Sequence, residues 1–187
     1  MKYLKGINMR FLSFLFTVAL IAMAPTVQAQ NLNGWFKLQT QFQAPAGKCF
    51  EGNRYDHNSR QGGGAFMDDC QNVSGQLWKF EPAGGGYYRM KTMFQEPAGK
   101  CFEGNSRTSG ATLAGAAFMD DCQNVSGQLW RIIPAQDGYV RLTTQFLEGQ
   151  NMCLEGNRRS AGGPLKGAAF MDRCQNVSGQ LWLLIQN

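Results

Sequence analysis

From residue 34 onward, the chain mixes apolar and polar positions at a period of two over short stretches, each closed by Gly, Pro, Asn or Ser. That is the pattern of half-buried strands joined by tight turns. In its first copy it predicts a strand over Trp35-Phe36-Lys37-Leu38-Gln39-Thr40 and a turn at Ala44-Pro45-Ala46-Gly47. A short strand, Lys48-Cys49-Phe50-Glu51, stops at Gly52, and a polar, glycine-rich loop covers 54–64. A third strand is expected over 65–70, a turn over 71–75, and a fourth strand over Gln76-Leu77-Trp78-Lys79-Phe80. Residues 82–86 then separate this copy from the next. No stretch beyond the N-terminal 29 residues sustains a helical period.

The whole unit recurs. The pattern AFMDxCQNVSGQLW occurs at 65–78, 117–130 and 169–182, each copy 52 residues after the last. Only its fifth position varies, as Asp69, Asp121 and Arg173. A fixed long period marks one supersecondary unit used repeatedly, with copies over about 34–85, 86–137 and 138–187. Four strands in each of three copies give about 12 strands and an all-β chain. Propeller blades are also four-stranded, but a propeller needs about four to eight of them. Three such units suit a closed, threefold β-trefoil, whose closure hides the strand edges that an open sheet exposes.

The N-terminus has a different character. Lys2, Lys5 and Arg10 precede an apolar run over 11–24, and Val27-Gln28-Ala29 offers a small-residue cleavage site. This is the layout of a secretory signal peptide, and the run is short for a membrane span. Cleavage after Ala29 would leave 30–187 as a single domain that is secreted or periplasmic, with no membrane insertion expected. The leader holds three of the 18 Lys and Arg and none of the 13 acids, so the remainder carries 15 bases against 13 acids, a net +2. Such a balance gives no reason to expect nucleic acid as a partner. All six cysteines follow the leader, two per copy. Six allow 15 pairings. The threefold repetition and short loops favour Cys49–Cys70, Cys101–Cys122 and Cys153–Cys174, and secretion favours oxidation. Zinc is not expected, because the spacing is not CxxC and His57 is the only histidine. Calcium at Glu51, Asn53, Asp68 and Asp69 is chemically conceivable, but Arg173 breaks that set in the third copy. No cofactor is implied.

Each copy pairs Cys-apolar-acid, as in Cys49-Phe50-Glu51, with a second cysteine followed by Gln-x-Trp, as in Gln76-Leu77-Trp78. In this the chain resembles the ricin B-type lectin domain, a β-trefoil whose repeats carry a QxW motif, although its 52-residue period is somewhat longer than that family's usual repeat. The resemblance covers nearly everything after the leader. It implies a non-enzymatic carbohydrate binder, with a shallow site in each repeat. In that family the site uses an acid just after the first cysteine, a ring two residues before the second, and an Asn beside the QxW Gln. Here the acid position holds Glu51, Glu103 and Glu155, one methylene longer than the usual Asp. The ring position holds Asp68, Asp120 and Asp172, and the Asn position holds Gly75, Gly127 and Gly179. Either the ligand differs or the site is rebuilt from nearby groups.

The groups available for such a site are Glu51, Asn53, Asp68, Asn72 and Gln76, then Glu103, Asn105, Asp120, Asn124 and Gln128, then Glu155, Asn157, Asp172, Asn176 and Gln180. Carboxylates accept from vicinal hydroxyls, and amides both donate and accept. Each residue also has a structural reading. Asn53 and Asn72 can hold turns, and Gln76 can bond to backbone and orient the Trp strand. For Glu51 and Asp68 the ligand and structural readings stand side by side, though a sheet has no need of either acid and disfavours Asp. Trp78, Trp130 and Trp182 are expected in the core, as are Phe66, Phe118 and Phe170 with their neighbouring Met; a stacking ring could come from Tyr55 in the first variable loop. Asn72, Asn124 and Asn176 also head Asn-Val-Ser sequons, for which a turn role is preferred. The expected function is thus a multivalent lectin-like binder with up to three sites. The alternative is a protein-binding trefoil, such as a protease inhibitor or a toxin's targeting subunit, that uses the divergent loops over 54–64, 106–116 and 158–168. A glycosidase built on Glu51 and Asp68 is the weakest reading, because three such pairs in a small trefoil leave no evident deep cleft.

Overall fold

A computed structural model of the chain describes residues 31–54, 64–105, 117–156 and 168–187. The expected leader over 1–29, Tyr55, and most of each variable loop lie outside the described residues. Among the described residues there are twelve strands, four per sequence repeat: β1 (Phe36–Thr40), β2 (Lys48–Arg54), β3 (Gly64–Asp69), β4 (Trp78–Gly84), β5 (Tyr87–Thr92), β6 (Lys100–Gly104), β7 (Ala117–Asp121), β8 (Trp130–Pro134), β9 (Val140–Thr144), β10 (Met152–Glu155), β11 (Phe170–Arg173) and β12 (Trp182–Gln186). The first and last strands of each repeat form a closed barrel in the order β1-β12-β9-β8-β5-β4. The middle two form antiparallel hairpins, β2–β3, β6–β7 and β10–β11. This is the β-trefoil that the repeat predicts. No helix among the described residues is long and apolar enough to cross a membrane.

The three hairpins meet through their alanines. Ala117 N donates to Ala169 O at 3.0 Å, and Ala169 N donates to Ala65 O at 2.8 Å. All three alanines are fully buried. Three backbones can converge this closely only where side chains are small, which explains why the repeated pattern opens on Ala.

Around this meeting point lies one core, shared by Phe50, Phe102 and Leu154 of the hairpins and by Trp78, Trp130 and Trp182 of the barrel. Each tryptophan is fully buried, as expected. Its indole N–H donates to a hairpin carbonyl: Trp78 to Phe50 O at 2.8 Å, Trp130 to Phe102 O at 2.7 Å and Trp182 to Leu154 O at 3.0 Å. The Trp78 ring stacks on Phe50 with centroids 4.6 Å apart, and Trp130 does the same on Phe102. The far edge of each indole presses on a glycine two residues beyond that carbonyl. A Cβ added at Gly52, Gly104 or Gly156 would stand 2.6, 2.7 and 2.6 Å from the Trp Cη2. Of the AFMD phenylalanines, Phe118 is buried while Phe66 and Phe170 are only half-buried; all three alternate with the inward-facing Ala and Met and lie on the opposite face.

The disulfides close as expected within each repeat, Cys49–Cys70, Cys101–Cys122 and Cys153–Cys174. Each spans a short loop and removes about 3 kcal/mol of chain entropy from the unfolded state in the loop-closure model. Three such bridges fit an oxidising compartment. The one variable position of the pattern is also explained. Asp69 and Asp121 face Lys48 and Lys100 across the hairpin and pair with them at 2.7 and 2.8 Å. Arg173 faces Met152 instead.

Two features depart from the expected layout. The fourth strand starts at Trp78, because Ser74–Gln76 winds into a 3-10 turn that places Gln76 underneath it, and β4 runs on to Gly84. The turn after the first strand is a 3-10 turn in two repeats, but becomes a single α-turn at Gln145–Glu148 in the third.

Gln95 is a local flaw. It is fully buried, yet neither atom of its side-chain amide has a hydrogen-bond partner among the described residues. The third repeat has Leu147 at the equivalent position, also fully buried. An unpaired buried amide costs about 1–3 kcal/mol. The substitution Gln95→Leu should therefore raise stability by about 1–2 kcal/mol, measured as a higher calorimetric unfolding midpoint.

Candidate functional site

Hairpin register sets the site. Pairing of Cys49 with Asp68 and of Glu51 with Phe66 puts Glu51 and Asp68 on one face of β2–β3. Glu103 with Asp120, and Glu155 with Asp172, share a face in the same way. Each Glu stands between the two residues that the tryptophan grips, the one whose carbonyl it bonds and the glycine it packs on.

The QxW glutamine fixes the other end of that acid. Gln76 Nε2 donates to Glu51 Oε2 at 2.9 Å and to Asp69 O at 2.8 Å, while its Oε1 accepts from Gln71 N at 2.8 Å. Gln128 and Gln180 make the same three bonds, reaching Glu103 and Glu155 at 3.0 Å. All three glutamines are 0% exposed. They were candidates for ligand contact, but they lie beneath the surface and orient the acid from below, in keeping with their structural reading. Glu51 and Glu155 are 9% and 8% exposed, and Glu103 is more open.

In the second repeat these groups line an open cavity of about 370 Å³. Glu103, Asn105, Asp120, Gln123 and Ser126 supply its polar lining, with Val125, Gly127 and Phe146 beside them. Glu103 Oε1 accepts from Asn105 Nδ2 at 2.6 Å, and a carboxylate with two donors still has lone pairs to offer. Asp120 Oδ1 accepts from the Asp121 amide at 2.8 Å, a bond that Asp68 and Asp172 repeat at 2.8 and 2.7 Å. Gly127 is matched to the longer acid. A Cβ there would come within 3.3 Å of Glu103 Cγ, so Glu in place of Asp and Gly in place of Asn form one compensated change.

The asparagines divide. Asn105 lines the cavity, Asn53 lies in β2, and Asn157 falls outside the described residues. Asn72, Asn124 and Asn176 are exposed. Asn124 and Asn176 turn instead to barrel strands, where they accept from Arg89 Nη2 at 3.3 Å and Arg141 Nη2 at 3.0 Å. Asn176 and Arg141 line a second depression beside Cys153–Cys174. In the second repeat the structure thus brings Glu103, Asp120 and Asn105 together, and it draws Asn124 and Asn176 toward the barrel.

Phe146 was not anticipated. It is 48% exposed, as are its equivalents Phe42 and Phe94 at 38% and 44%. The signal was available in the 52-residue recurrence of a Phe in a turn rich in Gln. The loops bearing Phe94 and Phe146 are tied to the preceding repeat by Lys79–Glu96 and Arg131–Glu148, both at 3.0 Å. Glu96 and Glu81 hold the Lys79 ammonium above its ordinary pKa.

A family model described as ricin-type beta-trefoil lectin domain-like matches residues 74–168, half of the chain. The chain belongs to that family. Among curated proteins none matches. Of solved structures, the ricin-type chain resembles the designed threefold symmetric protein ThreeFoil, with TM-score 0.62, 16% identity, and coverage of 83% of this chain and 100% of that one. It also resembles SeviL, solved bound to asialo-GM1 saccharide, with TM-score 0.55, 16% identity, and coverage of 82% and 97%. An exo-beta-1,3-galactanase from Clostridium thermocellum gives TM-score 0.60 at 15% identity, with 83% of this chain covering only 30% of that one. At these identities the likeness is one of fold.

Removing one ricin-type glutamine should be costly. Gln128→Ala strips partners from the Gln123 amide, the Asp121 carbonyl and Glu103 together. We expect a loss of about 2–4 kcal/mol, measured by urea unfolding.

Proposed function

We propose that the protein is a secreted, non-catalytic carbohydrate-binding module with up to three sites, one above each hairpin, formed by residues 30–187 after removal of the leader. The observation that carries this reading is the second-repeat cavity, where Glu103, Asn105 and Asp120 face open space beside an apolar wall. A few fixed polar groups next to apolar surface suit a hydroxyl-rich ligand with C–H faces. Vicinal hydroxyls donate to the carboxylates, and Asn105 adds an amide. Among the described residues the cavity lining carries two carboxylates and no cationic side chain, which favours neutral sugars over sialylated, sulfated or uronic ones. Glu51 with Asp68 and Glu155 with Asp172 share a hairpin face in the same register as Glu103 with Asp120.

Shallow single sites bind weakly, and three on one body gain avidity on a glycan-coated surface without any new contact. The role is recognition, with no bond made or broken. A glycan array probed with the oxidised mature protein is the direct test, and absence of signal across plant, microbial and animal glycans would sink the proposal. With a glycan identified, changing Glu51, Glu103 and Glu155 together to Gln should abolish binding, while the near-ultraviolet circular dichroism of the buried tryptophans stays unchanged.

A further inference from the structure

We propose that each ligand site is a seam between two repeats, its acid supplied by one and its stacking ring by the next, with the first repeat's Phe42 completing the third site. The inference rests on the carbohydrate reading above and adds the residue that replaces the missing ring.

At the position where the family resemblance implies a ring, this chain has Asp68, Asp120 and Asp172. Phe146 belongs to the third repeat, yet it lines the second-repeat cavity together with Glu103. The same relation holds around the barrel. Phe94 N donates to Ser74 O at 3.2 Å, in the turn that carries Gln76 and so Glu51. Phe42 N donates to Ser178 O at 3.2 Å, in the turn that carries Gln180 and so Glu155. Phe42 and Phe94 are therefore anchored by their backbone to the neighbour's QxW turn, Phe146 shares a cavity lining with Ser126 of that turn, and the three residues are between 38% and 48% exposed. Phe146 presents its exposed apolar surface in the same cavity as Glu103 and Asp120, and Phe42 and Phe94 stand at the equivalent sequence positions. Phe146 is well placed there to cover the C–H face of a neutral pyranose whose hydroxyls reach the acid. A ring loses little conformational entropy when it engages such a face.

The seam reading assigns each ring to a particular acid, and that assignment can be tested. In a Glu51→Gln, Glu155→Gln background only the second-repeat acid remains. Titration with a panel of neutral methyl glycosides (galactoside, glucoside, mannoside and the two N-acetylhexosaminides) by saturation-transfer difference NMR and calorimetry gives the reference affinity. Phe146→Ala should then weaken binding about tenfold, and Phe146→Tyr should restore it. Phe94→Ala, in the same repeat as Glu103, should leave binding unchanged, and each variant is compared below its own unfolding midpoint so that affinity is read on folded protein. Loss on Phe94→Ala without loss on Phe146→Ala would overturn the seam in favour of self-contained repeats. Equal affinity in both alanine variants would overturn the stacking role while leaving the lectin reading intact. If the wild-type protein binds no glycoside or arrayed glycan, both fall.

Discussion

The indole of each repeat's tryptophan is the contact on which everything else depends. It spans from a barrel strand to a hairpin, bonds the carbonyl before the site's acid, and presses its edge on the glycine after it. That one side chain therefore fixes the hairpin over the barrel and sets the backbone of the acid between two gripped residues. A larger residue at Gly52 would overlap the ring and move the acid with it. Core packing and site geometry share the same atoms, so a change that loosens one disturbs the other.

The glutamine two residues earlier completes the arrangement. The tryptophan holds the backbone of the acid, and the glutamine holds its carboxylate. The spacing follows from the 3-10 turn, which lets Gln face down under the hairpin while Trp enters the strand one residue beyond Leu. A QxW motif is in these terms a positioning device for a carboxylate. Its persistence in all three copies says that three acids are oriented alike, whereas Lys79–Glu96 and Arg131–Glu148 have no charged counterpart between Leu183 and Ala44. The third seam lacks a clamp that the other two possess.

Much of this was legible in the sequence, because period and spacing report local structure well. The four strands per copy, the closed trefoil, the buried tryptophans and the disulfide pairing all follow from a 52-residue recurrence with alternating polarity. The fate of the polar residues was harder to read. Asn124 looked like a partner for the acids, but it binds Arg89 from a strand 35 residues earlier, a pairing no local pattern announces. Gln76 looked ambiguous until its burial settled it. Phe146 escaped because reading repeat by repeat assigns every residue to its own unit, while the cavity it lines is otherwise built by the preceding one. The half-burial of Phe66 and Phe170 reflects a sheet face that strand alternation alone cannot assign to core or solvent.

The closure of the barrel by β1 and β12 has a consequence for how the chain is made. These strands pair over their full length, from Phe36 with Gln186 to Thr40 with Trp182. The first strand to emerge from the ribosome must wait for the last before its edge is covered, and an uncovered edge invites pairing with other chains. Each disulfide, by contrast, joins cysteines only 21 residues apart. The hairpins can thus be locked one at a time as they appear, which shortens the wait to a docking of pre-formed thirds.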